Sequence, residues 1–399
     1  MGTENPSILT VNAGSSSIKI NIFEYNTLDF TLSLTVKNLD QSQPKLISIN
    51  NKNEQQTEFL HVYEDQDILV ILLDKLFSKI KEADIKVIGH RIVHSGKFFT
   101  KPELLNPDKI AELKKLINFD PEHMTLAINF IEAFQERLKN IDQVACFDTS
   151  FYNDMPAIAK LLPIPRKYEA LGLRRYGFHG LAYESALDSF NDLAGDSASN
   201  GNLIFAHLGS GASITALKEG KVKDTTMSFS TASGILMSTR SGDIDPGISS
   251  YLNRQAGLSN EEFNHMVHFQ SGLLGVSELS SDMEELLKEY DSNPRAKDAV
   301  DLFCYEAKKA IGSLTTVLGG INSLIFSGGI GEQSPVIRQY ICSDLEYLGL
   351  KLDDEKNSSN DTLISSSDSQ IGAHVIKVDE AIVIARHVKE LTKNIKDDG

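Results

Sequence analysis

Apolar and polar residues alternate through "SILTVNAG" (7–14), "SIKINIFEY" (17–25) and "DFTLSLTVKNLD" (29–40), with short polar turns between them. Such period-two alternation, bounded by turn residues, predicts three strands in a meander. The pattern then changes. "DQDILVILLDKLFSKIKEA" (65–83) repeats its apolar positions at helical spacing, and the short apolar run "KVIGHRIVH" (86–94) predicts a strand. A second helical region is predicted over 108–139 and another strand at "QVACFDTS" (143–150). Strands interleaved with helices predict an α/β fold, with mixed sheets flanked by helices.

From residue 202 the plan restarts. "NLIFAHLGSGASITALKEGKVKDTT" (202–226) is again strand, small-residue turn and strand, with Glu219-Gly220 as a tight reversal. A further strand is predicted at "SLIFSGGI" (323–330), and "EAIVIARHVKELTKNIKDD" (380–398) predicts a closing amphipathic helix with an exposed end. "NAGSSSIKI" (12–20) and "HLGSGASIT" (207–215) are alike enough to suggest two copies of one supersecondary plan facing each other. Segments 193–202 and 357–370 predict surface loops, each too short for an interdomain linker. At 399 residues the chain exceeds what one core organises, so two domains are expected.

The net charge of −16, without any compensating basic tract, argues against nucleic acid or an anionic membrane as partner. It leaves open a small anionic substrate, which feels only local charge. No apolar stretch is long enough to span a bilayer, and Cys146, Cys304 and Cys342 show neither metal spacing nor an even count. A reducing, cytoplasmic location is expected.

Three turns carry candidate chemistry. In "NAGSSSIK" (12–19) a Gly/Ser turn between strands exposes backbone N–H groups and hydroxyls, and Lys19 follows on the second strand. That combination suits a phosphate, or serves only as a hairpin turn. "HLGSGAS" (207–213) and "FSGGIGEQS" (326–334) repeat the theme, and the joint reading is a nucleotide held by both halves of the chain. Two arginines sit among small residues: Arg91 in "GHRIVHSG" and Arg240 in "STRSGDIDPG". Each suits an oxyanion clamp through its planar fork, or a structural ion pair, for Arg240 with the neighbouring aspartates. Asp148, ending an apolar strand, suits Mg²⁺ or a cap, and Glu380 stands where a first-turn acid would complement a helix dipole.

In order along nearly the whole chain, "NAGSSSIK", "GHRIVH", "FDTSF", "YGFHG", "HLGSGAS", "TRSGDIDP", "SGLLGVS", "GGIGE" and "DEAIVIAR" make the sequence resemble the acetate kinase family. That family belongs to the acetate and sugar kinase/Hsp70/actin superfamily. The resemblance implies two actin-like (ribonuclease H-like) lobes, 1–150 plus 381–399 and 151–380, with an interlobe active-site cleft and a homodimer formed by the second lobe. It implies reversible, direct in-line transfer of the ATP γ-phosphoryl group to acetate, giving acetyl phosphate and ADP, with Mg²⁺ (or Mn²⁺). By position, Asn12, Asp148 and Glu380 would organise the metal, and Arg91, His179 and Arg240 would hold carboxylate and phosphoryl oxygens. Ser15, Ser17, Lys19, His207, Gly209, Ser210, Gly211, Asp282, Met283, Glu284, Gly329, Ile330 and Gly331 would line the nucleotide and its phosphates. Val93, Phe178 and Thr231 would face the acyl group.

Several positions depart from the family pattern. Asp120 in "INFDPEHMT" aligns with a family histidine that helps stabilise the transferring phosphoryl group, which makes Asp120 a candidate catalytic residue, with His123 close enough in sequence to take that place instead. Ser210 replaces an Asn, Met283 and Glu284 replace a Phe-Arg pair, Thr231 a Pro, Phe119 a Leu, and Leu181-Ala182-Tyr183 a Thr-Ser-His run. These departures keep other readings open: a propionate or other short-chain acyl kinase, an actin- or Hsp70-like nucleotide switch, or a member that binds nucleotide but transfers poorly.

Overall fold

Alternation in the first segment yields β1 (Ser7–Ala13), β2 (Ser17–Glu24) and β3 (Phe30–Lys37), an antiparallel meander. The structure is a computed structural model and describes residues 6–14, 17–37, 39, 43–60, 68–195 and 199–397, with side chains to 393. Two strands without a clear signal extend the meander, β4 (Lys45–Asn50) and β5 (Gln55–Phe59). Every residue of β5 is exposed, so burial imposed no apolar alternation there. β6 (Ile85–Ile92) pairs parallel with β1, β8 (Asp142–Phe147) pairs parallel with β6, and the short β7 (Glu103–Leu104) closes the edge. The eight-stranded order is β5-β4-β3-β2-β1-β6-β8-β7.

The second sheet joins β9 (Asn202–Leu208), β10 (Ala212–Lys218), β11 (Lys221–Thr225), β12 (Ser323–Ser327) and β13 (Gly372–Val375) in the order β11-β10-β9-β12-β13. The stretch β3-β2-β1-β6-β8 runs through two antiparallel and then two parallel pairings, and so does this sheet. One five-strand plan is therefore used twice. Glu219 and Gly220 both take positive φ, 55° and 68°, as the tight β10–β11 reversal requires.

Contacts divide the chain into two compact units, Met1–Ser150 with Asp379–Gly399, and Phe151–Val378. Glu380, expected to close the second lobe, falls in the first unit. The C-terminal helix Glu380–Asp397 packs on β1 and β6 of its own unit. Gly89 permits that approach, since a Cβ there would come within 2.5 Å of Ile384 Cγ2 and 2.6 Å of Val388 Cγ2.

Three local readings need correction. The helical region at 108–139 is two helices, Pro107–Lys115 and Pro121–Arg137, parted by the 3-10 turn Leu116–Phe119. Asp120 precedes a proline, which disfavours helical backbone, and its side chain instead caps the second helix. The span 357–370 is not purely a surface loop, because Asn357, Ile364 and Ser365 are buried. Asn357 does so to accept from the fully buried Arg338, Nε to Oδ1 at 2.8 Å. Segment 193–202 begins inside the helix Gly180–Ala194, and 196–198 lie outside the described residues. Among the described residues no helix is long and apolar enough to cross a membrane. All three cysteines are buried.

His90 on β6 is buried against Phe134, with Nε2 2.7 Å from Gln143 Oε1. Gln143 Nε2 is committed to the Ile131 carbonyl, so its oxygen faces the ring and His90 Nε2–H donates. Burial pushes His90 down to about 4, against 6.5 unfolded, with the Gln143 bond partly opposing. The unfolded chain therefore takes up this proton first, and stability is lost as pH falls from about 6.5 towards 4. Urea unfolding at both pH values is expected to show wild type losing roughly 3 kcal/mol more than His90→Leu. Equal losses would mean that His90 does not stay neutral in the fold.

Candidate active site

β1, β6 and β8 run parallel to one another, so their C-terminal ends meet at one edge of the first sheet. Asn12 lies near the end of β1, Arg91 near the end of β6, and Asp148 just after β8. Carboxyl ends of strands are where α/β sheets present ligands, because loops leave there and side chains can converge. Glu380 reaches the same cluster as the first residue of the C-terminal helix.

Arg91 is the hub. Its Nη2 donates to Asp148 Oδ2 at 2.6 Å, and its Nε to both Asp148 oxygens at 3.1 Å. Its Nη1 donates to Asn12 Oδ1 at 3.0 Å and to Glu380 Oε2 at 3.4 Å. Asn12 Nδ2 donates to the same Glu380 oxygen, which closes the network. Burial opposes the charged guanidinium, yet the charges of Asp148 and then Glu380 outweigh it and raise Arg91 above its ordinary value. Arg91 is thus permanently cationic. The acceptors are an amide oxygen and two carboxylates, the all-oxygen donor chemistry a hard divalent cation takes. Among the described residues no three His, Cys, Asp or Glu gather into a metal cluster by themselves, so the Asn12 amide would be needed.

The other expected residues of this unit are more scattered. Ser17 opens β2, its carbonyl accepting from Gly14 N at 2.9 Å, and exposed Lys19 sits opposite Asn12 in the β1–β2 register. Ser15 lies outside the described residues. Val93 is buried directly after β6. Asp120 Oδ1 accepts from His123 N at 3.1 Å and from His123 Nδ1 at 2.8 Å, so cap and imidazole form one pair.

In the second unit the glycine turns converge. β9 and β12 are parallel neighbours, Ser327 opposite His207, and His207 Nδ1 lies 3.1 Å from Ser327 Oγ. The Gly209–Gly211 turn follows β9, and Gly328 takes φ 76° to swing from β12 into the helix Gly328–Gln333. A Cβ on Gly328 would fall 2.7 Å from Leu208 O, and one on Gly209 3.8 Å from Gly329 N. The two turns are therefore packed backbone to backbone, with Gly329, Ile330 and Gly331 in the first turn of the helix.

His179 and Arg240 border this surface. A Cβ on Gly211 would meet His179 Nε2 at 2.9 Å and Arg240 Nη1 at 3.6 Å. His179 holds a left-handed backbone at φ 60°, sparsely populated for a non-glycine residue, ahead of the helix Gly180–Ala194. Tyr152 supports it from below: its hydroxyl donates to the Phe178 carbonyl, and its ring leaves no room for a Cβ on Gly177. Arg240 Nη1 donates to the carbonyl of buried Thr231 at 3.1 Å, and Ser238 N to Ser210 O at 3.2 Å, tying the arginine loop to the turn.

Asp282, Met283 and Glu284 stand on a separate short helix, Met283–Lys288. Asp282 caps it through Glu284 N at 2.7 Å, Met283 turns into the core, and exposed Glu284 pairs with Lys288 at 2.8 Å. Two residues not singled out beforehand as site residues, Ser213 and Tyr183, contact the His179 group. Ser213 Oγ lies 2.9 Å from His179 Nδ1 and 2.6 Å from Tyr183 Oη. The helical offset of four between His179 and Tyr183 was the available signal.

A family model, the acetokinase family, matches residues 7–386. An acetate kinase of Rickettsia akari is 38% identical over 383 residues, covering 96% of this chain and 98% of the other. One from Rhodopseudomonas palustris is 36% identical over 391 residues, with the same coverage. Among solved structures, a propionate kinase from Francisella tularensis superposes with a TM-score of 0.89 at 32% identity, covering 96% of this chain and 99% of that one. The Porphyromonas gingivalis acetate kinase superposes with a TM-score of 0.85 at 29% identity, covering 97% and 100%.

Proposed function

The chain belongs to the acetokinase family, and from that premise we propose that it moves the γ-phosphoryl group of ATP reversibly to acetate. The observation that carries the assignment to these residues is the convergence of His179 Nε2 and Arg240 Nη1 on Gly211, within a surface of packed glycine turns. An imidazole and a guanidinium over bare backbone suit a phosphoryl group and leave no room for bulk.

The acceptor carboxylate is ionised at neutral pH, so no strong base is required. Its oxygen attacks the γ-phosphorus while the bond from phosphorus to the β,γ-bridging oxygen breaks. That electron pair leaves on ADP. The transition state is loose, with charge spread over three equatorial oxygens, so positioning and cationic stabilisation dominate. Arg91 holds the incoming carboxylate, and His179 and Arg240 hold the phosphoryl oxygens. The turns at 207–211 and 328–331, with Ser17 and Lys19, carry the nucleotide and its phosphates. Val93, Phe178 and Thr231 bound the acyl group. Mg²⁺ or Mn²⁺ would be held by Asn12, Asp148 and Glu380, and when bound would offset phosphate charge. We place the working protein in the cytoplasm as a homodimer.

Propionate is the second reading, favoured by the similarity to the Francisella tularensis propionate kinase. One methylene is worth only about 1–3 kcal/mol, so a small change in pocket floor would decide it. The test is to supply Mg-ATP with acetate, propionate or butyrate and trap acyl phosphate as hydroxamate with hydroxylamine. Most hydroxamate from acetate is expected. Preference for propionate selects the second reading, and ATP turnover without any hydroxamate refutes both.

A further inference from the structure

Ser213 and Tyr183 sit behind His179, in positions the phosphoryl-transfer scheme does not use. Ser213 lies on β10 opposite His207 of β9, and Tyr183 stands one turn along the helix from His179, its N–H donating to the His179 carbonyl at 3.0 Å. Both side chains are fully buried. Tyr183 Oη, Ser213 Oγ and His179 Nδ1 form a chain with links of 2.6 and 2.9 Å.

Proton counting gives this chain a direction. Burial pushes the Tyr183 phenol well above its ordinary value, so it keeps its proton and must donate it. Thr215 also hydrogen-bonds the phenol and is paired in turn with Thr225 Oγ1 at 2.9 Å. The short 2.6 Å link to Ser213 Oγ is the one to which we assign the phenol proton. Ser213 has one proton and two lone pairs, so with Tyr183 donating to one of them its own O–H is available for a lone pair on His179 Nδ1, 2.9 Å away. A neutral imidazole that accepts at Nδ1 carries its hydrogen on Nε2. Nε2 is the atom that faces Gly211, on the side where Arg240 Nη1 approaches.

We propose that Tyr183 and Ser213 are positioning residues, a buried hydroxyl relay that fixes His179 as the Nε2–H tautomer and so presents a donor to the transferring phosphoryl group. The tautomer half rests on this assignment of the hydrogen bonds. The phosphoryl half rests on the kinase reading above. In the opposite tautomer, Nε2 would direct a lone pair at an anion and repel it. The relay makes His179 a donor without any need for it to be charged.

The test labels histidine with ¹⁵N in the full-length protein and reads both ring nitrogens by NMR, His179 being identified by the signals missing from His179→Gln. Wild type is expected to show Nε2–H at His179. Tyr183→Phe keeps the ring volume but removes the first donor. It should mix the tautomers and lower kcat about 10- to 100-fold, the usual scale for losing an orienting partner, with KM for ATP little changed. Ser213→Ala should do the same, and Ser213→Thr, which keeps a hydroxyl, should restore both tautomer and rate. A wild-type ring protonated at Nδ1 overturns the proposal, as does an unchanged tautomer in both Tyr183→Phe and Ser213→Ala. The expected tautomer in a wild-type protein that forms no hydroxamate would overturn the kinase reading and the phosphoryl half alone.

Discussion

Arg240→Ala is expected to lower hydroxamate formation by about 10³- to 10⁵-fold, the range seen when a phosphoryl-transfer enzyme loses an arginine that meets transition-state charge. Arg240 does not sit on a strand or helix. Its loop is tied to the glycine turn by the bond from Ser238 N to Ser210 O, and Arg240 Nη1 itself donates to Thr231 O. The neighbouring Asp243 and Asp245 accept from Gly234 N at 2.9 Å and Gly247 N at 2.6 Å. Each aspartate thus shapes a turn. In the proposed role the guanidinium interacts most strongly with charge that develops during transfer, so its loss should fall on kcat, with ADP affinity kept within a few-fold. Arg240→Lys keeps the charge but loses the planar fork, and should recover only part of the rate. Calorimetric titration with ADP beside a hydroxamate time course checks this. Parallel loss of ADP binding and activity would make Arg240 a structural residue.

What could be read from the chain and what could not follow from burial. β1, β2, β9 and β10 bury most of their residues, so their apolar patterns are strong and their turns were visible from composition. β5 buries nothing, so no pattern marked it. The Asn12–Arg91–Asp148–Glu380 network joins residues up to 368 positions apart in the chain. No spacing rule brings these four together. They became candidates through separate motifs and the resemblance, while the actual bonds depend on three parallel strands ending at one edge. Asp120 shows the opposite limit. Its local chemistry, Asp before Pro with His three residues on, specifies a helix cap whatever else it does, and the structure has that cap. Glu284 was legible only as an absence of the expected cation. Its pairing with Lys288 at an offset of four is what an exposed helix face ordinarily carries.

Arg91→Ala should damage both stability and chemistry, and the two can be separated. Asp148 is 1% exposed and accepts three contacts from the Arg91 guanidinium, so truncation leaves a buried carboxylate without its cation. Removing one partner of such a pair costs about 3–5 kcal/mol, because the remaining charge keeps its desolvation penalty and loses its compensation. Glu380 loses the same cation, which Arg91 Nη1 presents to it at 3.4 Å. Urea unfolding of Arg91→Ala should therefore show a loss of that size, with hydroxamate formation abolished. The double variant Arg91→Ala/Asp148→Asn removes the orphaned charge while keeping the side-chain shape. It should regain much of the lost stability and none of the activity, because in the proposed role Arg91 is the cation that holds the acceptor carboxylate. Full activity in a destabilised Arg91→Ala protein would reduce Arg91 to a brace for Asp148. If the double variant stays as unstable as the single one, the guanidinium stabilises through its packing and its bond to Asn12, and neutralising Asp148 contributes little.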